Sequence, residues 1–465
     1  MNSSKSAASI SAHMQQLSRY IAAAPRKALP KAVVEKTKHH VLDTIAAMVS
    51  GSKLVPGRAA INYVKALGGA KEATVAGSRI VTNAVNAALA NGMLAHADET
   101  DDSHSPSLTH PGCGIVSAAL AMAERGRCDG TALLRAVALG YDVSSRLSIS
   151  LGGVAFHGTG RTTHTIGPMF GATAAGAALT GLKERQVRHA LSYTAQQASG
   201  VSCYARDPDH IEKSFDFGGL AARNGVASVT MVASGCTGVE DVFSGEQNFY
   251  IAFDESHRIG RPPQPAILVR DLGKTYEIMN TNIKRWSVGS PIQAPLDMLL
   301  DLIRKEKITA GDVEKLVVRT YTTGATTTDN REMSDICMQH MCAIMLIDGM
   351  VTFESAHDNK RMKDPKVLAL RKRVKLIADD ELEARRPERH GIADLTLKDG
   401  RHFHSHTGAV RGTAQNPMTR AEVDEKCYDL MAPVLGRKRA RSLCDSIWDI
   451  ERVKDVSKLR PLLIA

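Results

Sequence analysis

Between residues 10 and 270 the chain is dominated by Ala, Gly and Leu, and apolar residues recur at three- and four-residue steps with few interruptions. That period puts apolar side chains on helix faces, and the small residues let neighbouring helices approach closely. The segments 37-TKHHVLDTIAAMVSG, 83-NAVNAALANGMLAHA, 115-IVSAALAMAERG, 131-TALLRAVALGYDVSSRLS and 170-FGATAAGAALTGL each read as a helix buried on several faces. Gly51, Gly126 and Gly181 stand near their ends, as helix stop signals should.

Near residue 268 the texture changes. The stretch 266-AILVRDLGKTYEIMNTNIKRW mixes β-formers with turns, while 313-VEKLVVRTYTT and 392-IADLTLKDGRHFHSHTG alternate apolar and polar residues as strands do. Asp399-Gly400 predicts a hairpin turn. Helical stretches, 293-QAPLDMLLDLIRKEK and 336-ICMQHMCAIMLIDGMVTFESA, lie between the strands, and 419-TRAEVDEKCYDLMAPVLG and 437-RKRARSLCDSIWDIE are amphipathic again. The expected organisation is therefore mainly α: a large helical domain over 1–268, a smaller inserted α+β domain over 269–409, and a return to the helical domain over 410–465.

Bulk properties narrow the function. The eight Cys are scattered with no C-x-x-C pair, which points to free thiols and a cytoplasmic setting. The start, MNSSKSAASISAHMQQLSRYIAAAP, has no uninterrupted apolar core of a secretory signal, and no run of eighteen apolar residues suggests a membrane span. The net charge of +10 is spread along the chain and aromatics are only 4 %, so a nucleic-acid partner is not expected. A surplus of this kind suits an anionic small molecule.

The chemistry concentrates in 96-HADETDDSHSPSLTHPG, a loop between two apolar helices that gathers Asp98, Glu99, Asp101, Asp102, His104 and His110. Such a stretch can be a metal-binding acidic cluster, an acid–base centre or a solvated loop. No second acidic cluster opposes it in the sequence, so no metal is expected. His157 and His164 precede the small-residue helix in 156-FHGTGRTTHTIGPMFGATAAGAALTGL, and their rings could point into a pocket. In 204-YARDPDHIEKSFDFGGLAARNG, Lys213 lies just before a helix, where an ammonium can clamp a substrate carboxylate.

Taken together these stretches resemble the MmgE/PrpD family of 2-methylcitrate dehydratases, cis-aconitate decarboxylases and an iminodisuccinate epimerase. The family's H-A-x-D-x-D-D-T-H and following His-Pro are similar to 96-HADETDDSH and 110-HP, and its F/W-H-x-T to 156-FHGT. Its Lys motif is similar to 213-KSFDFGGLAARNG, and later signatures to 348-DG, 364-DPKVLALRKRV, 398-KDG and 416-NPM. The resemblance covers essentially the whole chain. It implies a helical domain built from both chain ends with an inserted lid, a homodimer, and no metal or organic cofactor.

Departures from the family pattern mark this chain. Glu99 takes the position of the family's first Asp, with Asp98 adjacent; Ser103 replaces a Thr; and Gln293, in 284-KRWSVGSPIQAPLD, replaces a His. Asp216 stands where the Lys motif carries a His, and Tyr321 corresponds to a tyrosine at the end of the next strand.

The function expected from the resemblance is a cofactor-free lyase on a small di- or tricarboxylate. It would abstract a proton beside a carboxylate, most simply as a 2-methylcitrate dehydratase-like hydro-lyase. An epimerase of an iminodisuccinate-like substrate is the alternative, and a non-catalytic member of the fold a second one. His110 is the expected base or acid, oriented by Asp102 or Glu99, with Lys213 stabilising developing charge. Asp98, Ser103, His104, His157, Arg206, Gln293 and Tyr321 are the expected substrate contacts, with Gln293 acting as a neutral donor.

Overall fold

The computed structural model describes residues 10–386 and 388–465; residues 1–9, the start of the expected helical domain, lie outside the described residues. The fold is mainly α, with a smaller α+β part. Residue contacts divide the chain into two compact units. The first holds the chain up to Ala97, Asp101–Thr281 and Val423–Ala465, and the second holds Asp98–Thr100 and Asn282–Glu422.

In the first unit the helices that carry the site are α1 (Lys31–Gly51), α2 (Ala84–Ala95), α3 (Pro111–Gly126), α4 (Gly130–Leu151), α5 (Thr163–Thr180) and α6 (Leu220–Ala233). Their starts are fixed by short polar side chains: Asn83, Asp129 and Thr162 accept from backbone N–H groups in the first turns of α2, α4 and α5. Gly181 closes α5 in the left-handed region, whereas past Gly126 that conformation falls to Arg127. The small residues act as expected. A Cβ on Gly171 of α5 would lie 2.5 Å from the Gly140 carbonyl oxygen of α4, so these two backbones touch with no side chain between them.

Both unit boundaries fall later than the change in texture at 269 and 410 suggests. Instead of strands, Ala266–Val269 is a helical turn and Glu277–Asn280 a 3₁₀ turn. Arg146 of α4 donates to the carbonyls of Arg270 and Thr275, and the Glu277 N–H donates to Asp142 at 2.6 Å. Those bonds keep 266–281 in the first unit. At the other end, the Arg411 N–H donates to Asp297 at 3.0 Å and the Arg411 side chain to Glu422, which keeps 410–422 in the second unit.

The second unit contains α7 (Gln293–Glu306), β1 (Val313–Tyr321), α8 (Met338–Asp348), β2 (Val374–Asp379), β3 (Gly391–Leu397) and β4 (His402–Thr407). The sheet order is β2-β1-β3-β4, with β1 and β2 parallel and the other pairs antiparallel. Asp399-Gly400 forms the expected hairpin, with the Arg401 carbonyl accepting from Leu397 at 2.9 Å. One face of the sheet buries Leu316, Val318, Ala393, Leu395 and Leu397 against apolar residues of α7 and α8. The helices α9 (Arg420–Leu435) and α10 (Arg437–Trp448) follow, with short helical turns after them up to Arg460–Leu463, and the boundary between units falls in the first turn of α9.

Candidate functional site

The loop after α2 folds back on itself through a two-way backbone pairing of His104 with Thr109, and Pro111 then starts α3. This turn buries the carboxylates instead of solvating them. Asp101 and Asp102 are both 0 % exposed, so each needs a partner to remain charged.

Asp101 finds two imidazoles. Its Oδ2 lies 2.9 Å from His96 Nδ1 and its Oδ1 lies 3.0 Å from His110 Nδ1. Burial alone would raise the Asp101 pKa, but the charges and hydrogen bonds of His96 and His110 outweigh it and hold the group well below the usual carboxylate range. Asp101 therefore stays ionised and fixes the Nε2 faces of both rings.

Those rings meet Phe217. His96 stacks on one side of it at 4.2 Å and 15°, His164 stacks at 3.8 Å and 13°, and His110 approaches at 5.2 Å. A break in helical regularity puts Phe217 there. Residues Phe215–Gly219 make a π-helical turn, with the Leu220 N–H reaching back to the Phe215 carbonyl, between a short turn at Ile211–Ser214 and α6. The π turn packs on α2 backbone to backbone, since a Cβ on Gly92 would sit 2.5 Å from the Gly218 carbonyl. Such turns recur at functional sites because the extra residue re-aims side chains.

Around this aromatic platform stand further polar groups. Lys213 Nζ lies 5.3 Å from the Phe217 ring centre, within cation–π range. His157 is half-buried, with its ring 5.0 Å from His164 and its nitrogens 3.4 Å from Thr163 and Tyr204. Burial, with the neighbouring His157, His110, His96 and Lys213, pushes the His164 pKa well down, so its ring is neutral. His96 Nε2 and His164 Nδ1 are buried and have no hydrogen-bond partner among the described residues. Two unsatisfied imidazole nitrogens beside an ammonium suit a ligand carrying carboxylates.

Asp102 does something else. Its Oδ2 accepts from Tyr141 at 2.5 Å and lies 2.7 Å from His40 Nδ1, and its Oδ1 accepts from the Gly112 N–H at 2.9 Å. His40 and Tyr141 are both 0 % exposed, and burial, reinforced by Lys36, lowers the His40 pKa to about 4. Asp102 therefore does not orient His110, as the sequence suggested; Asp101 does. Register along the loop decides this: Asp102 turns toward α1 and α4, and its neighbour turns toward the histidines.

Other expected contacts are also reassigned. His104 is fully buried between Ser107 at 2.7 Å and Glu277 at 3.3 Å, which makes it a brace of the loop. Ser103 is 3 % exposed, and Arg206 is exposed. Asp216, in the family's His position, has its pKa pushed up to about 7 by burial, and its Oδ2 has no partner among the described residues.

In the second unit, Glu99 pairs with Lys284, whose Nζ donates to the Glu99 carboxylate at 3.1 Å and to its carbonyl at 2.9 Å. Both residues are buried. Asp98 lies 3.0 Å from His357 Nε2 and accepts from Thr100. Tyr321 ends β1, with the Arg386 guanidinium 5.4 Å from its ring. Gln293 is not the neutral donor expected from sequence. Its amide nitrogen donates to the Trp286 and Val288 carbonyls at 2.8 and 3.0 Å, and its oxygen accepts from the Trp286 N–H. Both amide hydrogens therefore serve its own loop.

Sequence reasoning assigned no role to His96, Phe217 or Lys284. His96 and Lys284 open the quoted motifs 96-HADETDDSH and 284-KRWSVGSPIQ, so a signal existed; Phe217 had none beyond its place in 213-KSFDFGG.

For a metal, His96, Asp101 and Cys113 offer atoms within 4.8 Å of one another. The fit is poor. Asp101 is already bonded to two imidazoles, and burial, with Asp101 and Asp102 nearby, raises the Cys113 pKa well above a thiol's usual value, which opposes the thiolate a metal needs.

The MmgE/PrpD N-terminal domain matches residues 15–261 and the MmgE/PrpD C-terminal domain matches 286–450. The cis-aconitate decarboxylase of Homo sapiens is 24 % identical over 455 residues, covering 93 % of this chain and 90 % of that protein. That of Aspergillus terreus is 21 % identical over 465 residues, covering 94 % and 92 %. A cis-aconitate decarboxylase-like protein of Aspergillus oryzae is 27 % identical over 271 residues, 55 % of this chain and 54 % of its own length. With both domains matched in order along most of its length, the chain belongs to the MmgE/PrpD family.

Proposed function

We propose that this protein is a lyase acting on a small di- or tricarboxylate, without a metal or organic cofactor, and that His110 moves the proton at the carbon beside a carboxylate. The observation that carries this reading is Asp101, an ionised, buried carboxylate shared by His96 and His110 beside an aromatic platform that also seats His164 and Lys213. An imidazole held by a carboxylate through Nδ1 presents its Nε2 in a fixed orientation, and the imidazolium it forms is stabilised where it stands. Lys213 supplies fixed positive charge for a substrate carboxylate, and the neutral His164 supplies a hydrogen-bonding edge.

The relatives that match over 90 % of this chain carry the name cis-aconitate decarboxylase, which makes an unsaturated tricarboxylate the first substrate to test. In that reaction the bond to the departing carboxylate breaks and its electron pair becomes a new C=C. The far carbon of the old double bond takes the proton His110 delivers, and CO₂ leaves. Dehydration of a 2-methylcitrate-like substrate uses the same group in reverse, as the base beside the carboxylate. The resemblance also supports a homodimer, which sedimentation velocity would check.

The deciding experiment incubates the protein in D₂O with cis-aconitate, 2-methylcitrate and iminodisuccinate, following CO₂ release, water loss and deuterium uptake by NMR. CO₂ release with one deuteron placed in the product supports the decarboxylase reading, and water loss the dehydratase one. Exchange with inversion and no bond cleavage would replace the lyase with an epimerase. No turnover or exchange with any of the three would sink the proposal.

A further inference from the structure

Seven of the described non-glycine residues hold a positive φ, and six of these are exposed or half-buried. The seventh is His210, only 6 % exposed, with φ +61° and ψ 9°. The left-handed region crowds the Cβ of an L-residue, so a buried side chain stays there only where its surroundings hold it. Nothing in the proton transfer proposed above uses this ring.

What holds it is a short, locked turn. Asp207 accepts from the Asp209 N–H at 3.0 Å through Oδ1 and from the Lys213 N–H at 3.1 Å through Oδ2. The His210 carbonyl accepts from the Ser214 N–H at 3.1 Å. One carboxylate thus fixes the backbone across 207–213, and that span carries both His210 and Lys213. Their side chains reach neighbouring places. Lys213 Nζ lies 5.3 Å from the Phe217 ring centre, while the His210 ring lies 5.3 Å from the His96 ring at 38°. His96 itself stacks on Phe217, with Nδ1 held by Asp101 and Nε2 unpartnered among the described residues.

We propose that His210 is a further substrate-binding residue, an imidazole donor that reads the third carboxylate of a tricarboxylate. The inference rests on the reading that this site takes a small polycarboxylate. Three observations meet in it: the burial of the ring, the left-handed backbone that Asp207 locks, and the place beside His96. In a site shielded from water, each carboxylate of a ligand needs donors of its own. Lys213, His96 and His164 gather on Phe217 and serve two such groups. His210 extends the cluster along its His96 side, which is where a third group is met. The locked turn adds to this, because a donor fixed before the ligand arrives loses little freedom on binding.

Calorimetric titration with two unreactive ligands tests this without any need for turnover. Tricarballylate is a saturated tricarboxylate, and glutarate is the same chain without the middle carboxylate. His210→Asn is the variant of choice, since Asn tolerates the left-handed backbone and keeps the turn while removing the imidazole. It should weaken tricarballylate about tenfold or more, the scale of one hydrogen bond to a charged group, and glutarate by less than about threefold. His257→Ala, at an exposed position, should alter neither. If His210→Asn binds tricarballylate as tightly as wild type, the inference falls and the polycarboxylate reading stands. Equal weakening of both ligands also removes the assignment to a third carboxylate. If wild type binds neither ligand, the reading of the site fails and takes the inference with it. Should His210→Asn fold poorly by circular dichroism, imidazole ¹⁵N spectra of the unaltered protein decide instead. Tricarballylate must shift the ring nitrogens of His210, and shifts confined to other histidines would overturn the proposal.

Discussion

Asp101 and Asp102 are consecutive, equally buried and each bonded to imidazole, yet they build two different regions. Around Asp102, His40, Tyr141 and the Gly112 N–H take up both carboxylate oxygens and tie α1, α3 and α4 together, and His40 Nε2 alone has no partner among the described residues. Around Asp101 the unpartnered nitrogens are grouped: among the described residues His96 Nε2 and His164 Nδ1 both end without partners, beside Phe217 and Lys213. A polar network that fills its hydrogen bonds rigidifies a core, whereas several unpartnered nitrogens gathered beside an ammonium suit a ligand. The pair shows that a carboxylate–histidine contact is no sign of catalysis by itself. Spare nitrogens gathered beside an ammonium and an aromatic ring are what set the Asp101 side apart.

The sharpest test of the contrast is His110→Gln, which keeps size and polarity but cannot cycle a proton. Turnover should fall by about a hundredfold or more, the scale of general acid–base catalysis, with the thermal midpoint little changed. A variant with normal kcat would dissolve the distinction between the two regions. Next in size is Lys213→Ala, which removes a charge-assisted contact from the Asp101 side. A loss of about 2–4 kcal/mol in transition-state binding, read from kcat/KM, is expected if it acts as oxyanion donors do.

The third prediction extends the comparison along the loop to Asp98. Although burial lowers it, the hydrogen bond and charge of Asp98 lift the His357 pKa to about 9. A folded pKa above the unfolded value of about 6.5 stabilises the fold fully below pH 6.5, and that stability is lost as pH rises toward 9. At most about 3 kcal/mol is involved by that linkage. Melting curves from pH 6 to 10 should show the decline, and Asp98→Asn should flatten it; an unchanged slope would show the pair to be silent.

The smallest effect is the mirror of the first. Asp102→Asn leaves one buried partner mismatched and should lower stability by about 1–3 kcal/mol while turnover stays within a few-fold. If instead kcat collapsed at full stability, Asp102 and not Asp101 would be the group that serves His110.

Much of this was legible in the chain. Helical period and Gly and Asn punctuation located α1 to α5, because packing and capping act over a few residues. The acid-rich loop stood out by composition. What stayed hidden were the pairings. Whether His110 faces Asp101 or Asp102 depends on one step of loop register, and Gln293 turning onto Trp286 and Val288 depends on backbone carbonyls that carry no sequence signal. The stretch 266–281 looked strand-like because its β-formers are real, but Arg146 and Asp142 capture its backbone as turns.

The π turn at Phe215–Gly219 makes chain length itself a determinant of chemistry. An α-helix advances about 100° per residue, so a helix with one residue too many has stored a rotation of that size. Deleting a single residue between Phe215 and Gly219 would let the helix heal into regular α geometry without disturbing any residue in α6. Yet it would swing the aromatic ring away from the imidazoles that stack on it. In this segment a one-residue gap in an alignment is therefore a heavier change than many substitutions, and a homologue that lacks the surplus residue is to be read as having a different site.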